Sequence, residues 1–110
     1  MSTIADIERQ ITELKELSER KDLALSLEKN SDFVKLILDG FCERECARFA
    51  RNSSDPALTK EQREDSLAMA QAAGHLRRWL SVTVRMGMHA DNEISEARRT
   101  IEEMRQEGQV

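Results

Sequence analysis

Four side chains in this sequence belong to the types that hold soft metals or act as nucleophiles: Cys42, Cys46, His75 and His89. A tetrahedral zinc site needs four such ligands, or a carboxylate in place of one, converging on a point. The Cys-x-x-x-Cys spacing lacks the two-residue spacer of a zinc knuckle, and His75 and His89 stand fourteen residues apart, nearly four helical turns. One ion cannot easily reach both. Cys42 and Cys46 are therefore read as small core-facing residues in reduced form, one helical turn apart, with no disulfide, metal or other cofactor. No Cys-His or Ser-His-Asp arrangement suits nucleophilic catalysis, and the abundant carboxylates offer no distinct acid/base couple. Glycine-rich phosphate loops, H-E-x-x-H and dinucleotide fingerprints do not occur. The expectation is a protein that is not an enzyme and has no catalytic residues.

Charge distribution says more. Residues 76–90 carry three arginines and no acid, in a chain of net charge −4. Arg77, Arg78 and Arg85 share this stretch with Trp79, the only tryptophan. Arginines beside an aromatic can grip phosphate, stack on bases or anchor a protein partner, so these four are candidate partner-binding residues. The competing expectation is that Trp79 packs against residues 33–49 and the arginines pair with carboxylates of the first helix. Arg44, Arg48 and Arg51 form a second set of basic positions.

The elements that position these residues are helices. Four aromatic residues in 110, no tyrosine, four glycines and one proline make an all-β fold improbable. Charged residues at 35% against 39% hydrophobic favour thin helical packing over a thick core. Ile4, Ile7, Ile11 and Leu14 recur at steps of three, four and three, a narrow seam, and Thr3 with Asp6 resembles a capping box. Beyond Leu14 the seam loses register, and contacts are expected to cluster near residues 23–27. Asn30, Ser31 and Asp32 read as caps, Asp39 and Gly40 as a stop or hinge, and Phe41 as the start of a second short helix. Its apolar side carries Phe41, Cys42, Cys46, Phe49 and Ala50. Asn52 to Pro56 is the clearest loop, with Asp55 suited to capping and Pro56 to a first helical turn. Thr59 and Gln62 form a better capping box, and a long helix from Lys60 follows. Leu76, Leu80, Thr83, Gly87, Ala90, Ile94, Ala97, Ile101 and Met104 alternate steps of four and three without a fault, and Gly108 supplies a stop. Gly74 and Gly87 are possible kinks.

These elements predict an all-α single domain, an antiparallel helical hairpin with a coiled-coil-like stalk and short helices at one end. Its parts are a first stalk helix over 3–29, short helices and a loop over 31–58, and a long second stalk helix over 60–107. Ile4, Ile7, Ile11 and Leu14 would pack against Ile94, Ile101 and Met104, with small residues at Thr83, Gly87 and Ala90 allowing close approach. A hairpin with one seam buries little apolar area against the cost of ordering its backbone, and oligomerisation relieves the shortage.

The middle of the chain resembles a group of small helical proteins encoded by tailed bacteriophages among virion structure and assembly genes. The residues that carry the likeness are Ser31-Asp32-Phe33-Val34-Lys35-Leu36-Ile37-Leu38-Asp39-Gly40-Phe41, Glu45 to Ala47, Ser54-Asp55-Pro56-Ala57-Leu58-Thr59 and Gly74-His75-Leu76-Arg77-Arg78-Trp79-Leu80. It spans about residues 31–87, and Trp79 stands where that group carries a smaller aromatic. Such proteins have no assigned activity, so the resemblance implies morphogenesis by association and transfers no site residue.

The expectation is a non-enzymatic helical protein–protein interaction or assembly factor, self-associating or docking onto a larger assembly in phage virion structure or morphogenesis. The alternative is a small phage regulator that binds a host protein or nucleic acid through the basic 76–90 stretch. Asp6, Glu8, Glu13, Glu16 and Glu19 break any apolar signal segment, and no stretch reaches the ~18 to 20 apolar residues of a membrane span. Host cytoplasm is the expected location, with virion association a further possibility and no membrane partner.

Overall fold

The computed structural model describes residues 2–108, and every regular element among them is a helix. They are α1 (Ile4–Glu28), α2 (Ser31–Phe33), a π-helix π1 (Val34–Glu45), α3 (Cys46–Asn52) and α4 (Lys60–Gln106). Both capping boxes form reciprocally. The Thr3 N–H donates to Asp6 Oδ2 at 3.0 Å while the Asp6 N–H donates to Thr3 Oγ1 at 3.2 Å. Thr59 and Gln62 repeat the exchange at 3.0 and 3.1 Å, which starts α4 at Lys60. Asp55 instead accepts from the Ala57 N–H at 2.9 Å, an Asx turn, so no helix begins at Pro56. The α4 helix runs through Gly74 and Gly87 without interruption, and Gly108 follows it at φ 76°, the left-handed conformation of a helix terminator.

The chain divides into two compact units. In the first, α1 up to Leu25 packs on α4 from Val82 onward. Ile7, Ile11, Ile94 and Ile101 form its buried core, with Ile4, Leu14, Ala97 and Met104 packed against them. The contacts run in opposite directions along the two segments: Arg105 Nη2 reaches Glu8 Oε1 at 3.3 Å, and Lys21 Nζ donates to Asp91 Oδ2. At the Lys21 end of this packing Gly87 is buried against Lys21 and the carbonyl of Leu17. The α1 seam does not lose register after Leu14. It continues through half-buried Leu17 and Lys21 to buried Ala24, and it looks broken in the sequence because a lysine holds one of its positions. The aliphatic stem of Lys21 lies against Gly87 while its ammonium reaches Asp91. The expected cluster at 23–27 is correspondingly smaller, since Leu23 and Leu27 point outward.

The second unit is Ser26–Ser81. Asn30 Oδ1 accepts from the Phe33 N–H at 3.0 Å and opens a helical run that continues to Asn52. Asp39 and Gly40 do not stop it, contrary to their reading as a hinge. Instead the run widens into i→i+5 hydrogen bonding over Val34–Glu45 and returns to the α form at Cys46. Gly40 suits that geometry: a Cβ there would sit 3.0 Å from the carbonyl oxygen of Lys35, five residues back. Two ties join this run to α4, Cys46 Sγ to the Ala70 carbonyl at 3.6 Å and Arg77 Nη1 to Glu43 Oε1 at 3.1 Å. The seam of α4 begins earlier than its large side chains suggest, with Ser66 and Ala73 both buried.

The polar ties of the first unit make its stability depend on pH. The hydrogen bond from Lys21, and next one from Ser18, hold the Asp91 carboxyl below the ordinary carboxylate value. The Thr3 backbone N–H and then its hydroxyl do the same for Asp6. Their stabilisation is present above the unfolded carboxylate pKa of about 3.9 and is lost as pH falls through the lower folded values. Lys21 is raised, chiefly by Asp91, so its contribution is present below the ordinary lysine value and is lost as pH rises through the folded one. Thermal melts followed by circular dichroism are expected to hold a plateau through neutral pH and to fall below roughly pH 4. Asp91→Asn should flatten part of the acid limb. An unchanged melting temperature from neutrality to pH 2 would contradict this assignment.

Candidate interaction surfaces

Each unit presents exposed residues of the types that bind partners. In Ser26–Ser81, the inward face of α4 is held by Ala73, Leu76 and Leu80, which leaves Arg77, Arg78 and Trp79 on the outside. Trp79 is 62% exposed, so it is not packed away against residues 33–49. Arg77 pairs with Glu43 of π1 rather than with a carboxylate of the first helix, and both side chains are more than half exposed. In water such a pair orients the guanidinium and adds little stability. Arg78 is exposed beside them.

Of the second basic set, Arg48 and Arg44 make separate contacts. Arg48 donates to Glu45 Oε2 through Nε at 2.9 Å and lies 4.5 Å from the centre of the Phe49 ring. Arg44 borders a 640 Å³ open groove on π1 with Lys35, Leu36, Ile37, Gly40, Phe41 and Glu45. Leu36 stands on this groove 72% exposed, the most exposed large apolar side chain described.

Arg85 belongs to the other unit. It borders an apolar groove of 320 Å³ between α1 and α4, formed with Leu14, Leu17, Val82, Met86, His89, Ala90 and Glu93. Met86 stands half exposed at its edge. His89 Nε2 and Glu93 Oε1 are 2.9 Å apart along its rim. Sequence reasoning singled out Arg85 but missed Leu17, Val82 and Met86 as surface residues. The available signal was a second stripe on α4, Val82, Met86, His89 and Glu93, at steps of four, three and four beside the fully regular one.

The seven residues read as helix-packing positions, Ile4, Ile7, Ile11, Leu14, Ile94, Ile101 and Met104, come together in the core of the first unit. Cys42 and Cys46 are free thiols. Burial raises the Cys42 thiol pKa, against a smaller opposing effect of Arg77, which keeps it protonated and poorly nucleophilic at neutral pH. Among the described residues no three His, Cys, Asp or Glu side chains converge as a metal site would require. No helix among them is long and apolar enough to cross a membrane. Compared with known proteins, the chain matches no family model, no curated protein and no solved structure.

Proposed function

We propose that this chain is a non-enzymatic helical interaction protein, folded as an antiparallel hairpin with short helices at one end, that self-associates or docks onto a larger assembly. The observation that carries the reading is the pairing of α1 with the C-terminal part of α4 through a core of four isoleucines, with an apolar groove left open alongside it. Helices are its working surface, and the partner contact is a matter of packing and charge rather than chemistry. The likeness of residues 31–87 to small tailed-phage proteins supports virion structure or morphogenesis as the setting. Mass spectrometry of purified tailed-phage particles and of their assembly intermediates tests that setting. Peptides of this chain in either fraction are expected, and their absence from both would overturn it.

A second reading, a small phage regulator binding a host protein or nucleic acid, draws support from the exposure of Trp79 beside Arg78. Gel-shift titration with single- and double-stranded DNA and RNA separates the two. Phosphate-driven binding would weaken steeply with added salt and would be lost in the Arg77→Ala plus Arg78→Ala variant with its helix content intact. The interaction reading expects no binding even at low salt.

A further inference from the structure

We infer that the groove between α1 and α4 is the seat of a second copy of this chain, docked antiparallel about a two-fold axis near His89. The inference rests on the interaction reading above and assigns it a surface. In an isologous pairing the same patch must complement itself, residue i of one copy meeting residue j of the other and the reverse. The groove rim meets that condition in charge. Arg85 and Glu93 lie on the groove side of α4, one on each side of His89 and equally far from it in sequence. A two-fold axis at His89 therefore brings Arg85 of each copy to Glu93 of the other, forming two equivalent ion pairs.

The apolar part of the groove meets the condition in shape. Gly87 abuts Lys21, so stepping along the antiparallel segments places Leu17 level with Asp91 and Leu14 level with Ile94. The same axis carries Met86 of the second copy to the level of position 92, between those two leucines. Met86 is 49% exposed in the single chain, and an unbranched thioether adapts readily to a cleft of this kind. The leucines of each copy thus receive the methionine of the other. Glu93, which faces His89 within the single chain, has the partner's arginine as a permanently charged alternative.

Charge reversal tests the pairing without touching either core, because Arg85 is exposed and Glu93 lies at the rim. Sedimentation equilibrium is measured for the wild-type chain, Arg85→Glu, Glu93→Arg, the doubly reversed chain, and an equimolar mixture of the two single variants, with helix content checked for each. The expected result is a wild-type dimer, with each single variant weakened roughly tenfold or more because like charges meet at both pairs. The doubly reversed chain and the mixture are expected to recover the dimer, since both restore opposite charges across the axis. A dimer that persists unweakened in the single variants, or stays weakened in the mixture, would overturn this surface while leaving self-association standing. A wild-type chain that stays monomeric throughout would overturn this surface and self-association together.

Discussion

Replacing Ile94 and Ile101 together by aspartate is expected to abolish cooperative melting of the α1–α4 unit. Both side chains are more than nine-tenths buried and meet Ile7 and Ile11 across the seam. Each substitution removes a core side chain, worth about 2 to 5 kcal/mol when an isoleucine is truncated to alanine, and adds an unpaired carboxylate to an apolar site. The two losses together rival the roughly 5 to 15 kcal/mol of net stability typical of a small domain. The unit has no second layer over which to spread the damage, because its core is a single seam. Circular dichroism and thermal melting provide the measurement, with Ser95→Asp, on the exposed side of the same turn, as the control expected to change little. Unchanged helix content and melting in the double variant would mean that the seam does not hold the unit together.

Gly87→Ala should destabilise the same unit, although alanine is the better helix former by about 1 kcal/mol. A Cβ at Gly87 would overlap Lys21 Cβ and lie 2.8 Å from the carbonyl oxygen of Leu17. Neither atom is the loose end of a side chain, so a rotamer change cannot relieve the overlap and the two helices must separate. Overpacking of this kind costs about 1 to 3 kcal/mol, and separation also disturbs the contact of Lys21 with Asp91. The net effect expected is a fall in melting temperature of about 4 to 8 °C for each kcal/mol lost. Gly74→Ala makes the comparison sharp. That glycine is exposed on the same helix with nothing within 4 Å of an added Cβ, and its substitution is expected to raise stability by about 0.5 to 1 kcal/mol. Opposite signs at two glycines of one helix would place the close approach at Gly87. Stabilisation at both would deny it.

Where the sequence was easy to read, large apolar side chains and short-range caps did the signalling. The four-three rhythm from Leu76 to Met104 corresponds to nine positions that are all buried or half-buried, and both capping boxes close as their residue types imply. Where it was hard, a residue did something its type conceals. Lys21 fills a seam position with its stem, so the α1 stripe looked broken there. Ala73 is fully buried and Ser66 nearly so, yet neither stands out: Ala73 is one of several alanines in its run, and Ser66 follows two acids and is itself polar. Gly40 normally signals a stop, and here it sits within a π-helix, a state set by i→i+5 bonding that side-chain periodicity hardly marks.

The candidate surfaces were legible only in part for a related reason. The arginine and tryptophan cluster stood out by composition, but composition cannot say which partner Arg77 meets, and that partner is Glu43, thirty-four residues away. Nor can it assign Arg85 to a groove whose other wall comes from Leu14 and Leu17. Such groupings arise when distant segments pack together, and a stripe such as Val82, Met86, His89 and Glu93 acquires meaning only once its neighbours are known.

The central proposal, that this helical protein works by association and pairs with a second copy through the α1–α4 groove, is tested most directly by absolute mass in solution. Light scattering coupled to size exclusion, run over a concentration series at low and high salt, is the measurement. The expected result is a mass rising to twice that of a single chain as concentration increases, and persisting at high salt because apolar contacts carry much of the pairing. The mass of a single chain at every concentration and both salts would contradict it.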